Sequence, residues 1–169
     1  MRRTIGTATF GLGLIVMTAT AQDMMRHVDL SSPDMVSAEM TRGEVEAALT
    51  MATAAAPADF TAKRLSGLDL SGLNLSGAIF RLARLNKTKL AGARLDRAVL
   101  DQAWLLEADL TGASLKNAQL GGADLTGVTV IDTDFDGADL VSAKLIAPIG
   151  LDRAKNFDRA KSRDRLVKE

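Results

Sequence analysis

Asp132-Thr133-Asp134-Phe135-Asp136-Gly137 is the stretch of this 169-residue chain that most resembles chemistry. Carboxylates at alternate positions followed by glycine match the opening of a calcium loop, in which hard oxygen ligands surround the ion and glycine makes the sharp turn. The twelfth position of such a loop carries a bidentate glutamate, and here it is Ala143. Asp132, Asp134 and Asp136 are therefore truncated calcium candidates, and the expectation is that no metal or other cofactor is bound. The other reactive types are sparse. His27 is the sole histidine, with no partner nearby in sequence, and there is no cysteine, which excludes disulfides, thiol catalysis and cysteine zinc sites. No nucleophile–base–acid set and no phosphate-cradling glycine loop is present, so an enzyme is not expected.

The elements that must position these residues follow one rule. Every fifth residue from Leu65 to Leu145 is large and apolar, seventeen in succession, with Phe80, Val130 and Phe135 the only departures from leucine. Two residues ahead of each lies a smaller side chain, alanine at eleven of fourteen places from Ala78 to Ala143, with Thr88, Val128 and Thr133 as the rest. A period of five fits neither a helix nor a strand and is a structural repeat. Its glycines recur at unit ends, where corners need them.

The units Leu68-Asp69-Leu70-Ser71-Gly72, Leu73-Asn74-Leu75-Ser76-Gly77 and Ala123-Asp124-Leu125-Thr126-Gly127 resemble the pentapeptide-repeat family. The resemblance implies an all-β fold, a right-handed quadrilateral β-solenoid with one pentapeptide per side and a twenty-residue coil. The central Leu or Phe and the small residue two before it would then face inward.

Charge tests that coil length without the family. Stacked rungs favour opposite signs at matching positions. At a separation of twenty, Asp69/Lys89, Lys89/Asp109, Arg81/Asp101, Lys87/Glu107, Asp96/Lys116, Lys116/Asp136 and Asp124/Lys144 are all opposite, and only Arg64/Arg84 is alike. At a separation of fifteen the count falls to four opposite and two alike, and at twenty-five to two against three. Residues 63–147 therefore make about four coils. Lys63 at an inward position argues that regular coils begin after it, while Leu68 and Leu73, where alanine is usual, point to a wider opening coil.

The ends differ from the solenoid. Met1-Arg2-Arg3, an apolar run from Ile5 to Met17 and Ala19-Thr20-Ala21 have the layout of a secretory signal peptide over residues 1–21, cleaved near Ala21. The run is shorter than the ~20 residues of a membrane span; Sec and twin-arginine export both remain open, and the mature chain is placed in the periplasm or outside the cell. Residues 22–62 form an N-terminal cap segment, with a helix from about Arg42 to Thr53 behind a Thr41–Glu44 capping box and a weaker one near Asp34–Glu39. Solenoid ends expose backbone and core and need such covers. After Pro148 the period breaks: Leu151 and Phe157 stand six apart, and residues 148–169 read as an irregular or helical C-terminal cap with a basic tail.

With that register, Trp104 faces outward between Arg84 and Asp124, either as a partner anchor or in a cation–π contact with Arg84. Arg84, Trp104, Leu106 and Ile146 are the partner-binding candidates, the last two sharing one column. Charge runs unevenly along the chain: residues 63–97 carry eight basic and two acidic side chains, residues 98–147 two and eight. The favoured reading is an exported, non-catalytic interaction or scaffold module that presents its walls to an envelope protein, with no nucleic acid and no membrane span after cleavage. Dimerisation through a solenoid end is compatible with it. Two alternatives stand beside it: a DNA-mimicking, gyrase-binding protein, as quinolone-resistance members of the family are, and a passive structural component of the envelope. The balance of 21 basic and 21 acidic residues, the signal peptide and the short solenoid disfavour the DNA mimic.

Overall fold

The computed structural model describes residues 37–166. The signal peptide expected at 1–21, the arm from 22 to 36 with His27, and the last three residues lie outside them.

The chain winds as a β-solenoid whose sides are single bridged residues between corners. Parallel bridges join residues twenty apart without a break from Asp59↔Ile79 to Thr129↔Ile149. Three backbone hydrogen bonds per side hold the coils together, as at Leu65 N–H to Arg84 O (2.8 Å), Arg84 N–H to Lys63 O (2.9 Å) and Gly67 N–H to Asn86 O (2.9 Å). A fourth closes the corner, Leu68 N–H to Leu65 O at 3.2 Å. At each corner from Ala62 to Ala147 the second turn residue has positive φ, as a type II turn requires, whether it is glycine or not. Four corners fall in each twenty residues, so the coil has four sides.

One amide per unit is left over by this scheme, that of the residue after the central Leu or Phe. The Asp or Asn two before it accepts that N–H: Asp69 Oδ1 from Ser71 N (3.0 Å), Asp109 Oδ1 from Thr111 N (2.9 Å), Asp139 Oδ1 from Val141 N (3.1 Å). Asn86 and Asp101 serve the same need across coils, accepting from Leu106 N and Gly121 N. The acidic residue of the repeat is therefore a backbone acceptor before it is anything else.

The interior is a dry stack. Leu70, Leu100, Leu120 and Leu140 are fully buried, as are the companion alanines such as Ala103 and Ala123. Thr88 and Thr133 replace alanine at no exposure, because each hydroxyl donates to a carbonyl of the coil before, Leu65 O (3.0 Å) and Leu110 O (2.6 Å). Each interior leucine contributes roughly 1.5–3 kcal/mol on burial. Phe60 and Phe80 stack with ring centroids 5.1 Å apart.

The ladder begins earlier than residue 63. Ala58-Asp59-Phe60-Thr61-Ala62 already forms a side: Asp59 bridges Ile79, Phe60 is buried, and Asp59 accepts from Thr61 N. Lys63 does not prevent this, since its backbone joins the ladder while its ammonium escapes to Glu39 at 3.3 Å. Leu68 and Leu73 are half-buried and packed against the core at this open end.

Helix α1, Arg42–Met51, lies against the first coil. Its capping box forms, with Glu44 N–H donating to Thr41 Oγ1 and Thr41 N–H to Glu44 Oε2. Val45 is completely buried in the core, and the Arg42 guanidinium donates to the carbonyls of Asp69 (2.9 Å) and Ser71 (3.3 Å). The helix ends two residues short of Thr53, whose hydroxyl and backbone close a turn with Ala56 instead. Ser37 to Glu39, the described part of the weaker helix expected near Asp34–Glu39, is not helical.

At the far end the solenoid continues with six residues per side. Gly150, Asn156 and Ser162 each add one left-handed residue after the bridged position, and a 3₁₀ turn follows each: Leu151–Arg153, Phe157–Arg159 and Arg163–Arg165. The bridges slip accordingly, to Asp134↔Lys155 and Asp139↔Lys161. Phe157 meets Phe135 edge-on at 5.4 Å.

Candidate interaction surface

The Asp132–Asp136 string lies where the five-residue coils meet the six-residue ones. Phe135 points into the core, and the three carboxylates fan out on either side of it. Asp132 pairs with Arg153 at 2.9 Å and Asp136 with Arg159 at 3.0 Å. Asp134 accepts from Asn156 Nδ2 (2.8 Å) and Asp136 N (3.1 Å) and lies 3.2 Å from Lys116 Nζ. Burial pushes the Asp134 carboxyl up, but these donors outweigh it and hold it below its ordinary value. Lys116 thus turns to Asp134 rather than to Asp136, its expected partner. The carboxylates are spent on joining two periods, and among the described residues no group of three or more acidic or histidine side chains converges as a metal site would require.

Of the seven charge pairs read at a separation of twenty, Arg81–Asp101 (3.9 Å), Lys87–Glu107 (3.6 Å) and Asp124–Lys144 (3.5 Å) approach ion-pair distance. Exposed pairs of this kind are worth at most ~1 kcal/mol each.

The wall built on residues 64, 84, 104, 124 and 144 carries the partner candidates. The Arg84 guanidinium lies over the Trp104 ring, 5.7 Å from its centroid. Trp104 and Leu106 flank the inward Leu105, and both are half-buried. Arg84, Trp104 and Leu106 are therefore brought together. Ile146 is not, since Thr126 intervenes in its column and separates it from Leu106 by two rungs, about 10 Å.

Leu82 stands at the corner that leads into this wall and has no sequence motif to mark it. It occupies the corner leading into Arg84, is 51% exposed and has φ of 57°. Among the described corners it is the only large apolar residue in the left-handed conformation. The cue was its column, which otherwise holds Ala62, Gln102, Gly122 and Ser142. Among the described residues no helix is long and apolar enough to cross a membrane.

The solenoid register and the backbone role of its Asp and Asn residues define a class, and comparison with known proteins agrees. The family model for pentapeptide repeats matches in overlapping stretches, 64–102, 93–130, 105–140 and 118–146, with eight copies. The chain belongs to the pentapeptide-repeat family, whose winding is right-handed. Similar solved structures include HetL of the cyanobacterium Nostoc, a pentapeptide repeat protein involved in heterocyst differentiation regulation (30% identity over 64% of this chain and 46% of that one, TM-score 0.38). A pentapeptide repeat protein of the Arabidopsis thaliana thylakoid lumen is 27% identical over 54% of this chain and 63% of its own (TM-score 0.34). QnrB1, a plasmid-mediated fluoroquinolone resistance protein, is 22% identical over 64% and 57% (TM-score 0.40). The chain thus spans between about half and two-thirds of each of these proteins. No curated protein matches it significantly.

Proposed function

We propose that the protein is an exported, non-catalytic interaction module in which about four regular coils, closed by α1 at one end and the six-residue sides at the other, present the Arg84–Trp104–Leu106 wall to an envelope protein. The observation that carries this reading is the patch itself. A half-buried indole, a guanidinium over its face and an apolar neighbour, Leu106, stand on a wall whose backbone is fully engaged in the ladder. Aromatic and arginine side chains on a rigid support are the types that dominate binding energy at interfaces. Export is read from residues 1–21. The remaining carboxylates of the walls accept backbone amides or meet cations, which leaves them little scope for acid–base work.

Fractionation of cells, followed by site-specific photo-crosslinking, tests both halves of the proposal. A photoreactive residue at Leu106 is expected to capture one discrete envelope protein, and the same residue at Lys89 on the next wall is not. Recovery of the chain in the cytoplasm, crosslinked to a topoisomerase, would replace this reading by the DNA mimic. Equal capture from both walls, or from neither, would favour the passive structural role.

A further inference from the structure

We propose that the head of the Asn74 side is a binding site for an extended peptide, which adds one strand to the open edge and sets a carboxylate against Arg97. This side lies opposite the Arg84–Trp104–Leu106 wall in the four-sided coil. The inference therefore goes beyond the proposed function and stands whatever that wall binds.

The ladder leaves three backbone groups unpaired here. Down this column the N–H groups of Arg94, Ser114 and Asp134 donate to the coil before, at Leu73 O, Ala93 O and Ala113 O, while Arg94 O and Asp96 O accept from Leu75 and Gly77. Continued to the head of the column, the same register assigns Asn74 N–H to Thr53 O, Asn74 O to the N–H of Ala55, and Ser76 O to residue 57. None of these bonds forms. Thr53 and Ala56 bond to one another instead (2.9 and 3.2 Å), and residue 57 is proline, which has no N–H to give. Asn74 N–H, Asn74 O and Ser76 O thus have no hydrogen-bond partner among the described residues. The two preceding sides are covered, by Glu39 N–H on Arg64 O and by the Arg42 guanidinium on the carbonyls of Asp69 and Ser71. An uncovered edge is a template for another strand.

Space and chemistry for that strand are both present. The turn from Thr53 to Ala56 bows away from the edge and leaves a cleft of about 360 Å³, with Leu49, Ala52, Pro57, Ala58 and Ala78 as its apolar lining. Ligand pockets commonly hold ~300–1,000 Å³. The central residue of every side points inward, so the middle residue of an added strand would meet this apolar lining. Past Ser76 and Gly77 the cleft continues into a polar one bordered by Arg94, Arg97 and Lys116. Arg94 is paired with Asp96 (3.3 Å) and Lys116 with Asp134 (3.2 Å), whereas the exposed Arg97 guanidinium has no anionic partner among the described residues. Arg97 stands one rung from Gly77, about 4.8 Å. In the parallel sense of the solenoid's bridges, the C-terminal end of an added strand runs toward this corner. The fitting occupant is an extended segment of another protein, an apolar residue followed by an acidic side chain or a terminal carboxylate.

The test titrates the isotope-labelled full chain with a synthetic heptapeptide of alternating valine and threonine ending in two aspartates, read by the amide signals in nuclear magnetic resonance. A second peptide is N-methylated on its valines, which removes the donors an edge needs and keeps the charge. The first peptide should move the Asn74, Gly77 and Ala78 amides saturably, slow hydrogen exchange at Asn74 and leave the Trp104 indole signal in place. The methylated peptide should do none of this. Arg97→Glu, a residue type that Glu107 already places in the same left-handed corner conformation, should raise the dissociation constant roughly fivefold with the urea midpoint unmoved. Equal binding of the two peptides, an Asn74 amide unmoved at millimolar peptide, or shifts centred on Trp104 would overturn the site. Shifts at Asn74 that grow with protein concentration in the absence of peptide would place a second copy on the edge and overturn the separate partner.

Discussion

Replacing Asp109 by alanine removes the acceptor for Thr111 N–H and nothing else of the ladder, so a loss of about 1 kcal/mol is expected in urea unfolding. Asp109→Asn, which keeps the accepting oxygen, should recover most of it. Ala103 is fully buried between coils, and Ala103→Leu should cost about 1–3 kcal/mol by overpacking a tube that alanine keeps narrow. Acid acts through the same residues. Asp59 and Asp69 are held below their ordinary values by donation from the hydroxyl and amide of Thr61 and Ser71, and Asp134 by Asn156, the Asp136 amide and Lys116 against the opposing effect of burial. A carboxyl with a depressed folded value stabilises the fold fully above its unfolded value and ceases to do so as the pH falls through the folded one. The urea midpoint should therefore stay level from neutral pH to about 5 and decline below about 4; a midpoint that rises on acidification would contradict the Asp-to-amide account. At this scale the sequence showed which residues face inward, because a period of five survives substitution by Phe, Val or Thr. It did not show why the outward Asp recurs, since an unpaired amide is visible only once the backbone path is known.

The elements were legible in proportion to how local their signals are. The Thr41–Glu44 box is complete within one helical turn, and α1 forms where it points. Thr41→Ala should cost about 1 kcal/mol through loss of that cap, and the thermal midpoint would record it. The six-residue sides were harder to read, because the added residue differs each time (Gly150, Asn156, Ser162) and only the Leu151–Phe157 spacing survives as a cue. They also account for the calcium-like string, whose carboxylates meet Arg153, Asn156 and Arg159 through a register that slips by one residue per side. Gly150→Ala is predicted to disrupt this junction: a β-carbon there would lie 2.2 Å from Ile131 Cγ1, on a residue with φ of 75°. A lowered midpoint with α1 and the early coils intact by hydrogen exchange is the expected outcome.

Over the whole molecule, charge is arranged in bands that close on one another. The basic first coils take Glu39 and the acidic later ones take Arg153 and Arg159, so the uneven distribution along the chain is met at both ends from within. This favours register over any long-range dipole. All of this depends on residues twenty apart being neighbours. The chain has no cysteine, which makes that claim directly measurable. Val99 and Gln119 are bridged in parallel, and strands so paired lie about 4.8 Å apart, within the reach of a disulfide. Cysteines placed at Val99 and Gln119 should oxidise rapidly to an intramolecular disulfide in the folded protein, read by mass and by mobility on a non-reducing gel, whereas cysteines at Val99 and Ser114 should not. Ready crosslinking of the pair fifteen apart, or failure of the pair twenty apart, would contradict the four-sided coil on which the account rests.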